Sequence, residues 1–310
     1  MLKYILKRLL QMIPVLIGIS FIIFAILDFT PGDPARIMLG ASATEEDVAS
    51  LREELGLNDN FFIRYIKYIT NVLKGDFGIS YRNKLPVLEE LATRFPTTFK
   101  LTFFAVAISV IIGIPVGIIS AVRQYSIIDN VSIILTLALT SIPGFWFGLM
   151  LILLFSLKLG WFPATGIDTW RHFILPSITL AGSCMATIVR MTRSSMLEVI
   201  RQDYIRTARA KGATEKRVML QHAFKNALLP IVTVIGTTFG FQIGGAIITE
   251  SVFAIPGLGT LMVTSVRMKD IPTVMGSVLL IAIAVGIVNL IVDILYAFID
   301  PRIKAQYERK

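Results

Sequence analysis

Residues Arg190 to Pro230 read RMTRSSMLEVIRQDYIRTARAKGATEKRVMLQHAFKNALLP. This is the longest polar run in the second half of the chain, and it lies between two apolar spans. Nine Lys/Arg stand against three acids, Glu198, Asp203 and Glu215. The composition from Glu198 to Lys211 predicts a helix with a small apolar stripe, Tyr204, Ile205 and Ala208, flanked by Arg201, Arg206, Arg209 and Lys211. Gly212 can take the left-handed conformation that ends a helix. Thr214 is then the expected cap of a second helix, with Glu215 in its first turn. A short amphipathic helix held in this way fits a groove on a soluble partner. The competing reading is a basic loop resting on anionic headgroups; the placement of Ala208 and Gly212 favours docking.

Outward from this stretch the chain is apolar. Of its 310 residues 55% are hydrophobic and 16% charged, and the mean hydropathy is +0.73. Apolar stretches of about 20 residues recur, each long enough to cross a bilayer core. The expected class is therefore an all-α polytopic membrane protein; a strand barrel would show short alternating segments. The net charge of +9 would suggest nucleic acid in a soluble protein. Here the basic residues cluster in particular loops, so the partner is the lipid bilayer and no nucleic acid is expected. Cys184 is a single cysteine inside an apolar span, and His172 and His222 are far apart, so no disulfide or metal site is expected.

Six spans are predicted: 9–28, 101–122, 130–157 with an interruption at Pro143-Gly144, 173–189, 227–249 and 274–299. A basic start before an apolar stretch resembles a signal peptide, but the first span exceeds the usual apolar region of about 7–15 residues and reads as a retained helix. The connecting segments are 1–8, a mixed-charge segment 29–100, the docking stretch 190–226, a loop 250–273 and a tail 300–310. Within 29–100, Thr44 is an expected N-cap and Gly56 a stop. Phe62, Tyr65, Ile66, Ile69 and Leu73 recur at helical spacing up to Gly75, a face suited to the membrane interface or to a partner. A third short helix is expected after Pro86.

Six spans place both termini on one side. Lys3, Lys7, Arg8, Arg123, the nine basic residues of the docking stretch and Arg302, Lys304, Arg309 and Lys310 would share that side. The two short loops opposite hold only Lys158, Arg171, Arg267 and Lys269. Positive charge collects inside, so both termini and Arg190–Asn226 are expected in the cytoplasm. Gly236, Gly240 and Gly244, Gly113 and Gly117, and Gly144 and Gly148 form small-residue ridges for close helix packing. Intramembrane polar groups are costly, which singles out Gln242, Glu250, Asn289 and Asp293 as pathway or gate candidates; an interhelical hydrogen bond or ion pair is the alternative, and the one favoured at Asp293 near the interface. No row of ionisable residues suits a proton relay, no paired groups suit an intramembrane protease, and no GxxxxGK[ST] loop suits an ATPase.

Tyr204-Ile205-Arg206-Thr207-Ala208-Arg209-Ala210-Lys211-Gly212, with Leu229-Pro230 downstream, resembles the cytoplasmic "EAA" loop of ATP-binding-cassette (ABC) importer permeases. The motif's alanine and glycine fall on Ala208 and Gly212. Its acidic first position is Arg206 here, and the proline lies eighteen residues after the glycine; both departures suit the peptide branch. The start MLKYILKRLL, Pro31-Gly32-Asp33-Pro34, Gly75-Asp76-Phe77-Gly78, Arg190-Met191-Thr192-Arg193-Ser194-Ser195-Met196, Pro256-Gly257-Leu258-Gly259 and Asp300-Pro301-Arg302 look like the dipeptide/oligopeptide/nickel (also glutathione) permease group, in its longer-loop "B" subunit. The resemblance implies a type I importer permease fold in a bacterial or archaeal inner membrane and half of a translocation pathway. It implies a second related permease, one or two ATP-binding subunits carrying ATP and magnesium, and an extracytoplasmic solute-binding protein. It also implies that Tyr204, Ile205, Arg206, Ala208, Arg209, Lys211 and Gly212 couple to the ATPase, with no catalytic residue or cofactor on this chain. The cargo would be a peptide, with nickel chelate or glutathione as alternatives. An ATP-independent channel or carrier is the reading from another class.

Overall fold

The computed structural model describes residues 2–40 and 42–299; the tail at 300–310, with its Asp300-Pro301-Arg302 motif, lies outside them. The described residues form helices α1 (Leu2–Phe29), α2 (Pro34–Leu39), α3 (Glu45–Glu54), α4 (Phe61–Leu73), α5 (Val87–Val122), α6 (Ile127–Ser141), α7 (Gly144–Leu151), α8 (Ile174–Ile200), α9 (Asp203–Ala210), α10 (Glu215–Arg217), α11 (Lys225–Gly245), α12 (Ile247–Val252), α13 (Leu258–Arg267) and α14 (Ile271–Ile299). The extended pairing among them is one isolated bridge, Ile79 with Pro86. Five helices are long and apolar enough to cross a membrane, and a sixth span results if α6 and the following helix are counted together.

Several helices outrun the apolar spans read from sequence. α1 already includes Lys7 and Arg8, since a helix need not start where hydrophobicity does. α5 begins at Val87, so the short helix expected after Pro86 is its first turn, where Glu89 and Glu90 suit the positive end of the helix dipole. α8 continues to Ile200, past the expected end at 189, because Thr192, Ser195 and Met196 remain buried along one side. The third span is not a single rod. α6 and the helix from Gly144 to Lys158 meet at 102°, and Pro143 stands at the corner. The final turns of that second arm, Ile152–Lys158, widen to π geometry. The fifth span ends at Gly245, and α12 and α13 occupy much of the segment expected to be loop.

The chain forms two compact units, and α1, α5 and α14 contribute residues to both. The first is built on Phe99–Ile255 and the part of α14 from Val285. Its centre is α8, packed against α11, α6 and α7. The glycine ridges set these distances. A Cβ on Gly117 would lie 2.6 Å from the Thr192 Cβ and 2.9 Å from the Val189 carbonyl oxygen, and one on Gly113 would lie 3.1 Å from Ile188. Gly236 and Gly240 meet Val292 and Val285 of α14 in the same way, whereas Gly244 and Gly144 have nothing within 4 Å. Gly117→Ala is therefore expected to force α5 from α8 and to destabilise the protein by about 1–3 kcal/mol. Gly244→Ala should be silent. Thermal retention of the monodisperse peak in detergent separates the two.

The second unit holds Leu6–Thr98 and Pro256–Ala284. Thr44 and Asp47 form the capping box of α3, and Gly56 and Gly75, both at positive φ, follow α3 and α4. Asp270, fully buried, accepts hydrogen bonds from Ser80 Oγ (2.5 Å), the Tyr81 amide (3.1 Å) and Thr273 Oγ1 (2.8 Å). Next to it Lys269 donates to the Thr30 carbonyl and, at 2.7 Å, to that of Gly32. These bonds close the Pro31-Gly32-Asp33-Pro34 turn onto the start of α14. They satisfy polar groups that would otherwise be costly to bury.

Candidate functional site

Arg201 and Gln202 interrupt the helix expected from Glu198 to Lys211, so that α8 ends at Ile200 and α9 starts afresh at Asp203. α9 is strongly amphipathic at its single buried residue. Ile205 is fully buried among Ala121, Met196, Val218, Met219, Ala223, Ala227 and Ile231, and Ala208 packs against the same cluster. Tyr204, Arg206, Thr207, Arg209 and Lys211 all face outward. One apolar anchor thus joins α9 to the ends of α5, α8 and α11, and the basic side of α9 stays open.

Gly212 ends the helix at φ +79°. Its amide donates to the Arg209 carbonyl (2.9 Å), and the Ala213 amide donates to that of Ala208 (3.3 Å). These are the two bonds of a Schellman cap, whose usual apolar contact joins the residue after the glycine to one inside the last turn. Ala213 and Ala208 occupy those two places, and both pack on the Ile205 cluster. The spacing from alanine to glycine is therefore the spacing of the cap. A Cβ on Gly212 would meet nothing, so the position demands glycine for its backbone conformation and not for space.

Beyond the turn, Thr214 occupies the N-cap position of α10 with extended backbone, but its side chain makes no capping hydrogen bond, contrary to expectation. Glu215 instead turns to Arg209, whose Nε and terminal nitrogen donate to its two oxygens at 3.1 and 2.7 Å. Those hydrogen bonds push the Arg209 pKa further up, so the guanidinium stays charged. α10 then widens into a π-helical stretch, Val218–Phe224, before α11. At the change of register the Asn226 side chain donates to the His222 carbonyl (2.6 Å).

Two residues unmarked as a pair in the sequence brace this assembly. Asp129, 1% exposed, receives the Arg193 guanidinium side-on, at 2.7 and 2.8 Å. It also accepts from Ser120 Oγ at the end of α5 and from the Tyr125 amide (2.9 Å). α5, α6 and α8 are thereby tied beside the Ala121–Met196–Ile205 cluster. Arg193 belongs to a motif quoted above, but its partner lies 64 positions away and no local spacing announces it.

The pathway candidates are spread over three helices. Gln242 is buried on α11 and donates to the Leu180 carbonyl of α8 (2.7 Å). Glu250 is fully buried in α12. Asn289 and Asp293 sit one turn apart on α14, both half-buried, and Tyr296 a further turn on donates to Thr233 of α11. No group of three or more metal-ligating side chains occurs among the described residues.

The described residues are thus helical, five or six helices being able to cross a membrane, with one capped helix, α9, presenting a basic side outward. The chain belongs to the family of binding-protein-dependent transport system inner membrane components: residues 113–305 match that family, and residues 1–102 match the N-terminal membrane component that accompanies it. It is 44% identical over 304 residues to the glutathione transport system permease protein GsiC of Salmonella choleraesuis strain SC-B67, covering 98% of this chain and 99% of the relative. GsiC of Escherichia coli strain K12 is 43% identical over the same shares. Among solved structures, an inward-facing MetNI methionine ABC transporter chain superposes with a TM-score of 0.58 at 23% identity, covering 69% of this chain and 97% of that one. An amino acid ABC transporter chain gives a TM-score of 0.54 at 18% identity, covering 67% and 93%. The protein is a multi-pass inner membrane permease subunit of an ABC importer.

Proposed function

We propose that this permease forms half of the translocation pathway of a peptide importer and that α9 with its Gly212 turn docks on a separate ATP-hydrolysing subunit. The single observation that carries the docking role is the build of α9: one buried anchor, Ile205, a Schellman cap that fixes its direction, and an exposed basic face. Tyr204, Arg206, Arg209 and Lys211 supply the contact surface; Ile205, Ala208 and Gly212 hold it in place. Closure of the ATPase on ATP and magnesium would move α9, and the cluster of Ala121, Met196 and Ile205 would pass that movement to α5 and α8. In this reading both termini and Arg190–Asn226 are cytoplasmic, which the distribution of basic residues supports.

A second, related permease completes the pathway, and an extracytoplasmic solute-binding protein delivers the cargo. The identity to GsiC makes glutathione, itself a small peptide, the first cargo to test, ahead of di- and oligopeptides and nickel chelates. Gln242, Glu250, Asn289 and Asp293 remain the pathway candidates. Purification of the tagged chain from its native membranes in mild detergent should recover a second permease and an ATPase, identified by mass spectrometry. Recovery of this chain alone from membranes active in uptake contradicts the reading and favours an ATP-independent carrier.

A further inference from the structure

Helix α4 has two apolar edges, and only one of them is used inside the protein. Phe61, Tyr65 and Tyr68 pack on the Phe24 cluster, and the Tyr65 hydroxyl bonds to Ser20 Oγ (2.9 Å) and the Ile17 carbonyl (3.1 Å) of α1. Arg64 reaches the other way, to Asp28 near the end of α1. The second edge points outward: Phe62 is 61% exposed, Ile66 59% and Leu73 82%. These three recur four and seven residues apart, one helix face. The opposite side carries Lys67, Asn71 and Lys74, with Lys67 paired to Asp59 (2.6 Å).

What covers the outward edge follows from α1. Ile17 lies twelve residues before Phe29, about 18 Å along a helix that crosses the membrane. α4 therefore lies beside the apolar length of α1 and not beyond its end. The outward surfaces of the two helices are also continuous. Phe29, 79% exposed, stacks on Phe61 (5.9 Å between centroids), and Phe61 meets Phe62 edge-on (5.2 Å). A surface joined to a membrane span in this way, apolar on one edge and basic on the other, fits the boundary between acyl chains and headgroups.

We propose that α4 is a membrane-embedded interfacial helix: Phe62, Ile66 and Leu73 lie among the acyl chains of the leaflet at the C-terminal end of α1, and Lys67, Asn71 and Lys74 lie at the phospholipid headgroups. The helix holds the unit of Leu6–Thr98 and Pro256–Ala284 at a fixed height on that surface. The inference does not depend on the cargo or on the docking role of α9.

Single cysteines at 62, 66, 73, 67, 71 and 74, placed in a Cys184→Ser background of the whole importer in phosphatidylethanolamine/phosphatidylglycerol nanodiscs, can be spin-labelled and probed with oxygen and with a water-soluble nickel chelate. Labels at 62, 66 and 73 should be relaxed several-fold more by oxygen than by nickel, and labels at 67, 71 and 74 should show the reverse. Nickel dominance at all six sites would place the helix in water. Protection of 62, 66 and 73 from both agents would place them under protein. Either result overturns the proposal. Chromatographic profiles matching the unlabelled importer exclude misfolding as the cause.

Discussion

Gly212→Pro should abolish coupled uptake. Proline fixes φ near −65°, and the position requires +79°. It also removes the amide that donates to the Arg209 carbonyl. The loss is about 3 kcal/mol or more at such a site, roughly a hundred-fold in the population of the correctly aimed turn. Gly212→Ala tests the same cause more gently. No atom obstructs the added methyl, so the penalty is only the left-handed backbone, about 1–2 kcal/mol, and uptake should fall to an intermediate level. Uptake into proteoliposomes, measured beside ATP hydrolysis, checks both. The proline variant should either lose its ATPase on purification or hydrolyse ATP without uptake, and normal uptake by it would remove the role given to the turn.

The second large effect is expected at Asp129. Asp129→Ala leaves the Arg193 guanidinium partnered by nothing on that side and exposes the Ser120 hydroxyl and Tyr125 amide to an empty site. Breaking a buried ion pair from one side is destabilising by about 3–5 kcal/mol, whereas replacing both partners with well-packed apolar groups is often far milder. The double variant Asp129→Leu/Arg193→Met should therefore be more stable than Asp129→Ala. Melting temperatures of the wild type, Asp129→Leu, Arg193→Met and the double variant in detergent complete the cycle and give the coupling. Additive effects would mean that the two side chains act separately.

The parts of this protein that were legible in its sequence are those written in local chemistry. Thr44 announces an N-cap, which the fold completes as a capping box with Asp47, and the alanine-to-glycine interval at Ala208 and Gly212 is the interval of a Schellman cap. Hydropathy marks apolar stretches because it reports where a chain can meet lipid, and helices run beyond them. α8 runs on to Ile200 through polar residues buried by protein, and α5 starts at Val87 among residues that no bilayer selects. Pro143-Gly144 marked a break, but a 102° corner is set by what α6 and α7 pack against and not by the proline alone. Nothing in the sequence sets Asp129 apart; only the fold brings it to Arg193. Gln242, a pathway candidate from its polarity, also donates to the α8 backbone, a contact that sequence spacing does not announce.

The proposed contact of α9 with a separate ATPase is open to a direct test. A photoreactive benzoylphenylalanine at Thr207, exposed on α9, tests it in native membranes, with the same residue at Ile63 on α4 as a control. The account predicts a cross-link from position 207 to a nucleotide-binding subunit, changed in yield when ATP is trapped, and none from position 63. Cross-links from position 207 only to lipid or to this chain, in membranes that still transport, would contradict it.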